Sequence, residues 1–80
     1  MFGLFSGTRD SLYEDEETRV GAGKFGYVLE TGLDTRFPDS HGPLKEAEMF
    51  KLLKRLDVPR RSRIEKAIKE HSDMYPKFRG

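Results

Sequence analysis

Eighty residues with a formal net charge of +1 suffice for one small hydrophobic core and are too few for two. About a quarter of the chain is Leu, Ile, Val or Phe, which places it just on the folded side of the disordered range. The absence of cysteine excludes a disulfide framework, a thiolate metal site and a cysteine nucleophile, and no apolar run approaches the ~18 residues of a membrane-spanning helix.

The charge is unevenly spread. Residues 1–42 carry four basic and eight acidic side chains, whereas residues 43–80 carry eleven basic and six acidic ones. The expected organisation is one domain over 1–80, with an acidic, strand-rich half (1–42) and a basic, helical half (43–80). A cysteine-free chain fits a reducing compartment, so the expected location is cytoplasmic.

The opening "MFGLFSG" has too short an apolar run for a signal peptide and no basic residue before it. It reads as a first strand or an exposed apolar terminus around Phe2 and Phe5. "SLYE" then has the spacing of a capping box, Ser11 to Glu14, and predicts a short helix from Leu12 into the acidic run "EDEE". "ETRV" reads as a strand that enters a hairpin through "GAG". Phe25, Tyr27, Leu29, Leu33, Thr35 and Phe37 occupy alternate positions around "ETG", which predicts a hairpin with one buried face and a turn at Gly32. "RFPDSHGP" reads as a loop.

The second half has helical periodicity. Pro43 suits a first helical turn, where its missing N–H costs nothing. Met49, Leu52, Leu53 and Leu56 form an i, i+3, i+4, i+7 stripe opposite Glu48, Lys51, Lys54 and Arg55. Pro59 ends this helix at "DVP". Ile64, Ala67, Ile68 and His71 form a second stripe with Tyr75 beyond them, capped by Asp57 or Ser62 at its start and closed by Pro76. The fold class is therefore α+β: a small antiparallel β-hairpin or three-stranded sheet followed by two C-terminal amphipathic helices.

"GAGKFGYV" (Gly21 to Val28) fits the glycine-rich pattern that lies over ATP phosphates in protein kinases. A kinase also needs a strand lysine, a catalytic aspartate and a metal-binding aspartate in their own motifs, and none is present. The glycines are better assigned to tight turns and close strand packing. His41 and His71 lack any ligand spacing, and "DSH" (39–41) sits on adjacent residues that cannot converge as a triad. No cofactor, no metal and no catalytic residue is expected.

The strongest functional signal is "KRLDVPRRSRIEK" with its continuation. Lys54, Arg55, Arg60, Arg61, Arg63, Lys66 and Lys69 surround the inter-helix turn. In order, "LLKRLDVPRRSRIEKAI" resembles the helix-turn-helix of DNA-binding proteins: apolar helix, Leu-x-Val turn, polar start, then Ile and Ala-Ile. It departs from that motif in having Asp57 where the turn usually has Gly, and in about one extra residue between Val58 and Ile64. The resemblance implies that the second helix starts against the major groove, with arginines on phosphate or guanine. The expectation is a non-enzymatic, regulatory module that binds nucleic acid, DNA favoured, through these seven residues. The alternative is a protein-interaction adaptor or inhibitor that uses its acidic and basic faces or the exposed apolar terminus around Phe2 and Phe5, an acidic protein surface being the partner of the basic face. No membrane partner is expected, and self-association as a homodimer is compatible with either.

Overall fold

The structure is a computed structural model that describes residues 8–79. The apolar stretch around Phe2 and Phe5, read from sequence as a strand or sticky terminus, lies outside the described residues. Four antiparallel strands come first: β1 (Thr8–Glu14), β2 (Thr18–Gly23), β3 (Tyr27–Thr31) and β4 (Asp39–Leu44). Two helices follow, α1 (Glu46–Leu56) and α2 (Arg61–Met74), then a 3₁₀ turn at Pro76–Phe78. The class is α+β as expected. The sheet has four strands rather than two or three, in the order β1-β2-β3-β4.

Each strand pairs with its neighbour in sequence. Val20 faces Leu29 and Ala22 faces Tyr27 across β2 and β3, and these four side chains are all buried. Onto that face pack Met49, Leu52 and Leu53 from α1, Ile64 and Ile68 from α2, and Phe78 from the 3₁₀ turn. Both predicted helical stripes therefore meet the sheet. Three of their members do not belong to the core: Leu56 is 40% exposed, Tyr75 is 47% exposed and Ala67 is only partly buried. Phe78 takes the place the stripe assigned to Tyr75, because the chain turns at Pro76 and brings the next aromatic inward.

Polar groups at the helix side of this core are hydrogen-bonded, whereas the carboxylate oxygens of the buried Glu30 have no hydrogen-bond partner among the described residues. The Tyr27 hydroxyl lies 2.9 Å from His71 Nδ1 and 3.3 Å from the Ile68 carbonyl. Burial, with the nearby Glu46 charge, pushes the Tyr27 hydroxyl up to about 12, against a hydrogen bond from the Ser72 side, so it stays neutral at physiological pH. The Ser72 hydroxyl donates to Glu46 at 2.8 Å, joining the two helices.

Three expectations in the first half are corrected. The region from Leu12 is not helical: Ser11, Tyr13 and Glu14 pair with Gly21, Val20 and Arg19 in the β1–β2 ladder. The Asp15 carboxylate, not Ser11, captures free amides, accepting from Glu17 and Thr18 at 2.9 Å each in a tight turn. The strand after Gly32 is not Leu33 to Phe37. Gly32 does take the expected positive φ of 69°, but Thr35 folds back onto its carbonyl through both amide and hydroxyl, at 2.9 and 2.6 Å. Phe37 is 81% exposed.

The return strand is β4, in the stretch read as a loop. Glu30 pairs with Ser40, Leu29 with His41 and Tyr27 with Leu44, with a register shift between the last two. Pro43 therefore lies in a strand and not in the first turn of α1, which begins at Glu46. The position tolerates proline because β4 is at the sheet edge and irregular there. The glycines of "GAGKFGYV" close the β2–β3 hairpin, the Gly23 amide donating to the Gly26 carbonyl at 2.8 Å. A Cβ on Gly26, whose φ is +148°, would lie 2.6 Å from the Leu44 carbonyl oxygen, so close strand packing requires glycine.

Among the described residues, no helix is long and apolar enough to cross a membrane.

Candidate nucleic-acid interface

The turn between α1 and α2 is built by backbone geometry. Val58 N–H donates to the Leu53 carbonyl at 3.3 Å and Asp57 N–H to the Lys54 carbonyl at 3.2 Å, the paired bonds of a Schellman motif. Asp57 occupies the left-handed position, φ 53°, that this motif usually fills with glycine. Val58, 5% exposed, packs into the core at the end of the motif. Neither Asp57 nor Ser62 caps α2 as expected. Asp57 ends α1, Ser62 lies inside α2, and the cap position is held by Arg60 in a left-handed conformation without a side-chain cap. The Arg60 carbonyl accepts from the amides of Arg63 and Ile64 at 3.1 and 3.3 Å.

Around this turn the seven predicted cations fall into two groups. Lys54, Arg55, Arg63, Lys66 and Lys69 are exposed and make no ion pair among the described residues. Lys54 and Arg55 sit in the last turn of α1, where the helix dipole favours positive charge. Arg63, Lys66 and Lys69 recur every three residues, so they share one side of α2 away from Ile64, Ile68 and His71.

Arg60 and Arg61 are engaged instead. Arg60 reaches back to the β1–β2 turn and pairs with Asp15 at 3.1 Å. Arg61 pairs along α2 with Glu65 at 3.6 Å. The Asp15 carboxylate also accepts from the Tyr13 hydroxyl. Partial burial works against its ionisation, but the Tyr13 hydroxyl, the amides of Glu17 and Thr18 and the Arg60 charge together hold it below its ordinary value. That hydrogen bond to Asp15 is also the main cause, with burial, of the raised value at Tyr13.

The start of α2 is electrostatically unusual. It has no acidic residue in its first turn and instead carries arginines beside the positive end of the helix dipole. Such a terminus is stabilised by any anion brought to it. Three residues of the acidic run, Asp15, Glu16 and Glu17, line a concavity with Arg60 at this surface. Sequence reasoning missed this pairing, since no spacing rule links residues 15 and 60. Compared with protein-family models, curated proteins and solved structures, the chain matches none.

Proposed function

We propose that the chain is a non-enzymatic module that binds nucleic acid, duplex DNA favoured, through the basic surface around the α1–α2 turn, in a regulatory role. The observation that carries this reading is the set of exposed cations, Lys54, Arg55, Arg63, Lys66 and Lys69, without ion pairs among the described residues and flanking a helix with no acidic residue in its own first turn. Phosphates brought to that start complement both the dipole and the side-chain charge, and they release counterions from the duplex. Helix, short turn and helix in that order support DNA over RNA, since a helix start fits the major groove of B-form DNA and not the narrow one of A-form RNA.

A second reading has its own support. The same turn already accepts a protein carboxylate, Asp15 on Arg60. A partner with an acidic surface would repeat that pairing along Arg63, Lys66 and Lys69.

Binding to a labelled duplex across a salt series separates the two. Arg63→Gln, Lys66→Gln and Lys69→Gln combined leave the core intact, because these side chains are exposed and make no ion pair among the described residues. The variant should bind more weakly, and the slope of log K against log salt should fall by about one unit for each phosphate that is no longer neutralised. Absence of duplex binding at ~0.1 M salt, where non-specific affinities remain measurable, would transfer the surface to an acidic protein partner.

A further inference from the structure

At the opposite end of α2 from the basic turn, the β2–β3 hairpin tip and the 3₁₀ turn enclose a cleft of about 260 Å³. Gly23 and Lys24 form its hairpin side, and His71, Tyr75, Lys77 and Phe78 form its helix side. None of the residues lining it is acidic.

Its helix side is a stack of rings. His71 lies against Tyr75 at 4.7 Å between centroids and 34° between planes, and meets Phe78 edge-on at 4.9 Å. Tyr27 backs Phe78 at 4.9 Å from within the core. The stack ends at Tyr75, whose ring rests on the buried His71 and remains 47% exposed. An exposed ring held flat by a buried one is preorganised for stacking, because its rotamer entropy is already lost.

The rim is cationic. Lys24 Nζ sits 5.6 Å from the Phe25 ring and Lys77 Nζ 5.3 Å from the Phe78 ring. A third ammonium, Lys45, donates to the Lys77 carbonyl at 2.6 Å. The nearby carboxylates are engaged elsewhere, Glu46 with Ser72 and Asp73 with Arg79. A half-exposed aromatic face beside two ammonium groups calls for a planar ring bearing a negative charge, and the volume suits one such ring.

We propose that this cleft takes one unstacked nucleotide, its base on Tyr75 and its phosphate between Lys24 and Lys77. The nucleotide is either a free monophosphate or an unpaired position in a strand. The Gly23 amide takes no part, since it is already spent on the Gly26 carbonyl. None of the cleft residues belongs to the basic turn, so the site stands or falls independently of the function proposed above.

The test is an amide-shift titration of the full chain with adenosine monophosphate, with a short oligothymidylate and with inorganic phosphate. Saturable shifts at Lys24, Tyr75, Lys77 and Phe78 are expected with the nucleotide or the oligomer at about 1 mM or below. Inorganic phosphate alone should bind at least about tenfold more weakly, because it lacks the stacking contribution. Tyr75→Ala should weaken the nucleotide about tenfold while Tyr75→Phe preserves it. An oligomer much tighter than the monophosphate identifies the strand as source, and equal affinities identify the free nucleotide. Equal responses to phosphate and nucleotide, or full affinity in a folded Tyr75→Ala variant, would overturn the proposal. The combined Arg63, Lys66 and Lys69 variant should leave these shifts in place, and their loss there would also overturn it.

Discussion

Two carboxylates of the strand half respond to pH in opposite directions. Glu30 is 0% exposed and lies across the strand pair from Arg19, whose guanidinium stands 3.5 Å from it and 3.2 Å from Glu14. Burial raises the Glu30 value, and the Arg19 charge only partly offsets this. The fold therefore prefers the neutral carboxyl. Its stabilising contribution is complete below the ordinary glutamate value and is lost as pH rises through the raised one. Glu30→Gln should gain stability relative to the parent as pH increases from about 4 to about 7, as read from urea melts at each pH. A difference that stays constant, or reverses, would show that Arg19 dominates. Asp15 behaves inversely: its value is lowered, so its contribution is present above the ordinary aspartate value and disappears as pH falls through the lowered one.

At the scale of elements, the Schellman turn supplies a direct test. Asp57 adopts φ 53° where glycine would rest without strain. Asp57→Gly should stabilise the chain by about 0.5–1 kcal/mol, measured as a higher urea midpoint at unchanged slope. The two helices were legible in the sequence because a period near four repeats over several turns, and Met49, Leu52, Leu53, Ile64 and Ile68 all lie in the core. β4 was not legible. "DSHGPL" contains no β-branched or aromatic residue, and its pairing is imposed by β3 and not by local preference. The opposite error arose at Leu33 to Phe37, where alternation in a loop imitated a strand. In the candidate site, periodicity found the exposed cations of α2, but not that Arg60 is tied to Asp15, a pairing set by tertiary packing.

Taken whole, the molecule does not keep its two charge populations apart. The acidic β1–β2 turn meets the basic inter-helix turn through Asp15 and Arg60, so a ligand at α2 also meets the field of Glu16 and Glu17. That neighbour weakens binding of any anionic partner at this surface, duplex or acidic protein, and added salt screens this repulsion together with the attraction of the lysines and arginines. The strand order β1-β2-β3-β4 has a different consequence, one of time. Each hairpin and the helix pair close over short stretches of chain, whereas Tyr27 must find Ile68 and His71 across more than forty residues. Closure entropy places the short-range pairings early and the docking of α2 late. In stopped-flow chevrons, Ile68→Val should therefore act mainly on the unfolding arm, while Val20→Ala in the β2–β3 hairpin should slow refolding. Docking that forms last is also the first to release, so the end of α2 that carries Tyr75 should exchange its amide hydrogens ahead of the hairpins.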